Sequence, residues 1–373
     1  MKVTVTRVGF LSSLKKVSTI VDKDPILPEL ESVLIEAQTG VITLRTSNLE
    51  VECILHYDLG QTFNQGRILV PCNIFIKLFS MLEGDEVSIE LKNKMVVVSS
   101  DEDGIFEIPN EQVDNFPHQK TFLDGGKRLG IIKADAKELS KALKSSYAVS
   151  SDEYRPAMTC VYMDVVNDKI VTTDAHQLTC IDFSFIAEGD FSELDILLRK
   201  EFVQLFDKLK LNGQVVMEFS KDSLKLSGGG LDGGHVTSTI SGSKYPNYEC
   251  VIPKQHKVVA NVYKSDLVKA LKKVALFSNK VTQQVIIDIK EGDMQISAME
   301  VDFGFEAKAN IHCTLEGDTI KLGYNAQFLL QALNHLEGDT VALEMIDSKK
   351  PTILKGSNES YFILVMPVIL KEE

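Results

Sequence analysis

The sequence has no tryptophan, no C-x-x-C cysteine pair, no long apolar run and no excess of positive charge, and each absence removes a class of protein. Without C-x-x-C spacing, Cys53, Cys72, Cys160, Cys180, Cys250 and Cys313 spell neither a zinc ribbon nor a redox pair. They are expected to be reduced, mostly buried thiols. No stretch approaches the roughly 20 apolar residues that span a bilayer, and Met1-Lys2-Val3-Thr4-Val5-Thr6 alternates like a strand, so a cytoplasmic chain without membrane attachment is expected. No G-x-S-x-G elbow, H-E-x-x-H pair or Walker lysine occurs; no catalytic residue, cofactor or metal site is expected. Lys+Arg 40 against Asp+Glu 53 gives a net charge of −13, which on average repels nucleic acid.

What is present is a globular composition, 44% hydrophobic and 25% charged over 373 residues, with room for two or three domains. The chain also repeats itself. Phe75, Leu78, Phe79 and Leu82 fall at i, i+3, i+4 and i+7; so do Phe202, Leu205, Phe206 and Leu209, and Leu329, Ala332, Leu333 and Leu336. That is one apolar helical stripe written three times. Each stripe runs into a glycine, Gly84, Gly213 or Gly338, at offsets of 129 and 125 residues. A second helix recurs over 7–19, 133–147 and 263–280, with Leu11, Leu139 and Leu267 each 128 apart. Between the helices lie alternating runs at hairpin spacing, such as Val33-Leu34-Ile35 with Val41 to Leu44. The expected fold is α+β: three repeated domains, 1–126, 127–255 and 256–373, each with two helices packed on antiparallel sheet.

Charge segregates by element. The six expected helices sum to +11, which leaves −24 for the remainder of a −13 chain. Taking Leu139 as zero, Lys137, Lys141 and Lys144 lie at about 160°, 200° and 140°, opposite the apolar stripe. Lys269, Lys272 and Lys273 stand at about 200°, 140° and 240° from Leu267. The last helix presents Gln327, Gln331 and Asn334 there. A single lysine-bearing face reads as a solvated surface. Its recurrence in an acidic chain, without interleaved aromatics, reads as a surface for duplex phosphates rather than for stacked single-strand bases.

Several strings sharpen this: Ser150-Ser151-Asp152-Glu153-Tyr154-Arg155-Pro156, Thr173-Asp174-Ala175-His176-Gln177-Leu178, Tyr245-Pro246-Asn247-Tyr248 with Val251-Ile252-Pro253, Val365-Met366-Pro367-Val368-Ile369-Leu370, and Leu27-Pro28-Glu29-Leu30 before Val33-Leu34-Ile35-Glu36. In this order, across three repeats, they resemble the bacterial DNA polymerase III beta subunit (beta sliding clamp) family. The resemblance implies a head-to-tail homodimer, each chain half of a ring, that encircles double-stranded DNA without sequence preference. Partners would be the polymerase III alpha subunit, the clamp loader and other proteins carrying a clamp-binding motif. The DNA-facing cations would be Lys16, Lys77, Lys137, Lys141, Lys144, Lys200, Lys269, Lys272 and Lys273. A peptide-binding cleft would take Met158, Thr173, His176, Leu178, Pro246 and Val251 from the central repeat. The last repeat would add Asn325, Phe328, Pro351, Leu364, Val365, Met366, Pro367 and Leu370. Ala175 stands where the family usually has glycine; Gln177, Ile369 and Cys250 stand where arginine is found, implying a less basic pocket.

Rival readings stay open. Asp174 and His176, with Ser150 or Cys160, could begin a hydrolase constellation, but nothing in the sequence completes it. The glycine cluster around Gly228-Gly229-Gly230 lacks the Lys-Ser/Thr of a phosphate loop and reads as a flexible hairpin connection. A clamp-like paralogue or mobile-element clamp with altered partners, and a scaffold that does not bind DNA, are the alternatives.

Overall fold

The computed structural model describes residues 1–21, 25–59, 64–117, 127–191, 194–231, 233–300 and 303–370. The expected boundary turn at Asp124-Gly125-Gly126, His118 and Asp232 of the glycine cluster lie outside them. Among the described residues there are six α-helices: α1 (Arg7–Val17), α2 (Cys72–Met81), α3 (Ala136–Ser145), α4 (Lys200–Leu209), α5 (Lys264–Val274) and α6 (Ala326–His335). None is long and apolar enough to cross a membrane.

The chain forms two compact units, Met1–Lys141 with Phe185–Gly242, and Ala142–Ser184 with Ser243–Glu373. In the first, Lys2–Thr6, Glu86–Lys92, Met95–Ser100 and Gly104–Pro109 make a four-stranded sheet in that order. A longer sheet runs Ile186–Gly189, Gly130–Asp135, Gln214–Phe219, Ser223–Gly228, His235–Thr239, Val51–Asp58, Val41–Ser47, Ser32–Gln38, Gly66–Pro71. The second unit repeats the plan. Phe305–Ile311, Asp293–Glu300, Gln284–Lys290 and Ile320–Asn325 form its four-stranded sheet. Its longer run is Cys160–Asp164, Lys169–Thr173, Gln177–Asp182, Tyr361–Val365, Thr352–Lys355, Thr340–Met345, Val258–Tyr263, Cys313–Glu316.

Each long sheet contains a seam where strands from different repeats pair. His235 lies opposite Ile54 and Thr237 opposite Glu52 in one. Gln177 lies opposite Val365 and Leu178 opposite Leu364 in the other. Each repeat has two halves, a helix and the three strands that follow it, and at both seams the third strand of one half-repeat pairs antiparallel with the third strand of another. Two strands of that type, Gly104–Pro109 and Phe305–Ile311, end their sheets.

The apolar stripes are the core. Phe202, Leu205, Phe206 and Leu209 are buried, as are Leu329, Ala332, Leu333 and Leu336. In α2, Phe75, Phe79 and Leu82 are buried and Leu78 half-buried. Phe10 of α1 packs on Phe79 at a ring separation of 5.2 Å, and Phe75 on Phe79 at 5.0 Å. Each such ring contributes about 1.5–3 kcal/mol by leaving water.

Three expectations shift. The α1 counterpart of Leu139 and Leu267 is Phe10, which is buried with Leu14 and Val17; Leu11 is one position off and only half-buried. The helices expected over 133–147 and 263–280 begin later, at Ala136 and Lys264, because Gly130–Asp135 and Val258–Tyr263 are strands that run straight into them, as Ile196–Arg199 runs into α4. With the observed bounds the helices carry +9, leaving −22 for the rest. One glycine of the connection is packed: a Cβ on Gly234 would collide with the Ile54 carbonyl, so only glycine lets the chain approach the seam there, while Gly230 stands in open space.

Candidate functional site

The Thr173–Leu178 segment turns sharply at one end of the second seam. Asp174 Oδ1 accepts the amides of His176 and Gln177 at 2.8 and 2.6 Å. Thr173 Oγ1 donates to the Gln177 carbonyl at 2.7 Å. Ala175 is thereby held at φ 74°, the left-handed region that L-residues other than asparagine and aspartate seldom adopt. The Asp174 carboxylate is engaged with these backbone amides and so holds the turn that carries His176. Ser150 accepts the Asp152 amide, and Cys160 is buried with its thiol directed at the Pro156 carbonyl.

The turn exposes His176, whose ring stacks on Phe328 of α6, centroids 5.4 Å apart. The His176 carbonyl accepts the Met366 amide at 2.9 Å, which brings the C-terminal strap alongside. From there Val368 donates to the Gly323 carbonyl at 2.8 Å, and Leu370 lies against Gly323. Asn325 caps α6, accepting the Gln327 and Phe328 amides, while its Nδ2 donates to the Thr282 carbonyl. The Tyr245-Pro246-Asn247-Tyr248 string is anchored by its tyrosines. Tyr245 stacks on Tyr162 at 4.7 Å, and Tyr248 donates a buried hydrogen bond to Asp164 at 2.7 Å.

These contacts bring His176, Phe328, Asn325, Met366, Pro367 and Leu370 to one place. Met158, Pro246, Val251 and these six are at least partly exposed, whereas Thr173, Leu178, Pro351, Leu364 and Val365 are buried beneath. An apolar surface with a few polar anchors, built on a strand end and a helix N-terminus, suits an extended peptide with one or two apolar side chains. Of the four departures noted in the sequence, Gln177 does not line this surface, being buried and bonded to Tyr147 and Gln331. Cys250 and Ile369 are exposed. The Cys53, Cys72 and Cys180 thiols are pushed up to about 12 by burial and are unreactive at neutral pH.

The sequence-assigned cations divide. Lys137, Lys141 and Lys144 are exposed on α3, and Lys269, Lys272 and Lys273 on α5, opposite the buried stripes. Lys77 and Lys200 are exposed on α2 and α4. Lys16 is half-buried and borders a cavity of about 1080 Å³ with Ser13, Thr43, His56 and Tyr57.

One feature escaped the sequence reading. The sheet-ending strand Phe305–Ile311 carries Phe305, 52% exposed, stacked on Phe303, 70% exposed, with Phe277 edge-on at 6.4 Å. Leu276 and Met299 are exposed as well, and Ile105 is 72% exposed on the other end strand. Phe303-Gly304-Phe305, two aromatics on either side of a turn glycine at the start of the strand, was the available signal.

Comparison with known proteins gives concordant matches. The family described as DNA polymerase III beta subunit, N-terminal domain, matches residues 1–120, and its C-terminal domain matches 249–369. A beta sliding clamp of Chlamydia muridarum is 24% identical over 380 residues, spanning all of both chains. One of Pseudomonas putida is 24% identical over 376, spanning 99% of this chain and 100% of that one. Among solved structures, a sliding clamp from Bartonella birtlesii bound to griselimycin superposes with a TM-score of 0.90 at 23% identity, and the polymerase III beta subunit of Pseudomonas aeruginosa with 0.89 at 21%. Each covers 99% of this chain and 100% of the other.

Proposed function

We propose that this chain, which belongs to the DNA polymerase III beta subunit family, is a sliding clamp: two copies close head to tail around duplex DNA and tether polymerase to it. The observation that carries this reading is the seam made twice and left open once. The strands that end their sheets, Gly104–Pro109 and Phe305–Ile311, are of the types that pair at the two closed seams, and both expose apolar side chains. An unpaired strand edge bearing clustered phenylalanines is an aggregation hazard unless another chain covers it. Pairing Gly104–Pro109 of one copy with Phe305–Ile311 of another makes a heterologous contact that closes at two chains.

On this reading the three domains are 1–126, 127–255 and 256–373, and six of them complete the ring. The lysines of α3 and α5 face duplex phosphates. Their contacts are individually weak and indifferent to sequence, as a protein that slides requires, because topology and not affinity retains the DNA. The chain is non-catalytic and cytoplasmic, and its effect on synthesis is processivity. The cleft of His176, Phe328 and Met366 takes a short peptide from the polymerase alpha subunit, the clamp loader and other partners. The exposed Cys250 and Ile369 favour, as a second reading, a clamp whose partners differ from those of its relatives. Failure to capture a standard clamp-binding peptide by a ring that still encircles DNA would select it.

Loader-assisted retention on DNA tests the main reading. Retention on nicked circular duplex and loss from linear duplex with free ends is expected; equal retention on both rejects encirclement. Lys141→Glu with Lys272→Glu is expected to cut retention roughly tenfold or more, with native mass still that of a dimer.

A further inference from the structure

We propose that Gln177 is a positioning residue for the peptide cleft, an inference that rests on the reading of the cleft given above. It follows His176 and precedes Leu178, and its side chain is 2% exposed, turned to the helix side of the strand. There Gln177 Oε1 accepts the Tyr147 hydroxyl at 2.8 Å, and Nε2 donates to Gln331 Oε1 at 3.3 Å.

The partners define what this amide holds. Gln331 stands three residues beyond Phe328 on α6, and His335 four beyond that, so the three share one stripe of the helix. Phe328 stacks on His176, Gln331 bonds Gln177, and His335 stacks on Tyr147 with ring centroids 4.0 Å apart and planes 13° off parallel. Tyr361 donates to the Ser145 carbonyl at 3.0 Å and so pins the segment that carries Tyr147 to the strand paired with Gln177–Asp182. Backbone pairing along the seam fixes the strand but not the separation of α6 from it. That separation sets how His176 meets Phe328, and the Gln177 amide is the polar link across it. Losing the link leaves the buried Tyr147 hydroxyl without its partner. Burial raises the Tyr147 and Tyr361 phenols and lowers His335, so the assembly stays neutral near pH 7.

The test uses the full-length dimer and a fluorescein-labelled synthetic hexapeptide with two leucines and a terminal phenylalanine, read by fluorescence anisotropy, with NMR of the His176 ring as a ligand-free readout. Gln177→Ala and Gln331→Ala are each expected to weaken the hexapeptide about three- to tenfold, and the double variant no more than either alone. Gln177→Met, which keeps the volume without the hydrogen bonds, is expected to match Gln177→Ala in affinity while leaving no cavity. The His176 ring protons, displaced upfield by the Phe328 face, are expected to move toward free-histidine positions in all of these variants. Wild-type affinity in Gln177→Met, additive losses in the double variant, or unmoved His176 resonances would each overturn the proposal. Phe328→Ala separates the two readings: if it leaves hexapeptide binding intact, the cleft itself is misplaced, and if it abolishes binding while Gln177→Met changes nothing, Gln177 alone is misassigned. Should the hexapeptide not bind at all, the His176 resonances decide.

Discussion

The two closed seams use the same types of strand but are held by opposite chemistry. Where Val51–Asp58 meets His235–Thr239, charge is buried: Glu52 lies 3.6 Å from Arg45, and burial outweighs that attraction to push the carboxyl above its usual range. Glu52 Oε1 and Thr237 Oγ1 make no hydrogen bond. His235 is driven down to about 4, first by burial and then by Lys225, His56 and Arg45. Along Gln177–Asp182, which meets Tyr361–Val365, the buried polar groups are neutral and paired: Thr172 bonds Thr179, and Gln177 bonds Tyr147 and Gln331. The Gly234 loop packs against the first seam at Ile54, whereas the second ends in the turn that exposes His176. Repetition of a backbone pairing thus fixes where strands go and leaves the chemistry of each junction free to differ.

The difference can be broken most severely at the junction that one chain leaves open. Phe305→Asp should convert the dimer to monomer in native mass spectrometry, weakening association at least about a hundredfold, or roughly 3 kcal/mol. An unaltered dimer would remove Phe305–Ile311 from the interface. Next in size is acid sensitivity of the first seam. Because the folded state holds His235 below its unfolded value of 6.5, stability is intact above that pH and declines as pH falls toward about 4. The loss is on the order of 1–2 kcal/mol, less than the whole shift would give because solvent screens a partly exposed ring. Thermal melts of His235→Gln should lose this part of the acid response; an unchanged profile would place it elsewhere.

Glu52 works with the reverse sign. A carboxyl whose folded value is raised is relieved as pH falls, so Glu52→Gln should stabilise by about 1 kcal/mol at pH 7 and by little at pH 4. Destabilisation at pH 7 would mean that the Arg45 pair outweighs burial. The smallest effect belongs to the second seam. Ala175→Gly should gain about 0.5 kcal/mol in urea unfolding, since it relieves a left-handed alanine and adds unfolded-state entropy against that gain. A loss would show that the turn carries no strain.

The helical stripes were legible because each repeats an i, i+3, i+4, i+7 period, but phase within a repeat was not: Phe10 and Leu11 are both apolar, and only packing tells which faces inward. Strands that enter helices without a loop blurred the starts of α3 and α5. Asp135, which accepts the Lys137 and Glu138 amides, is the cap that marks where α3 begins. The meeting of His176, Phe328 and Met366 was legible only through resemblance, since it joins a turn at 173–178, a helix at 326 and a strap at 366 that no local pattern links. Gln177 stands where the resemblance leads one to expect a pocket arginine, but its side chain is buried and bonded to Tyr147 and Gln331, which strand alternation alone does not reveal. Seams and open edges could not be read at all, because pairing between repeats is non-local and the exposed phenylalanines acquire meaning only once their strand is seen to end a sheet.

If every junction, including the one between chains, joins the third strand of one half-repeat to that of another in the same sense, the closed assembly has an axis through its hole and no symmetry that exchanges the two ends of that hole. The axis carries the cleft of one chain onto the cleft of the other without turning it over. On the proposed function, proteins docked on both chains would then meet the duplex from the same end, and the ring would have a direction along the DNA.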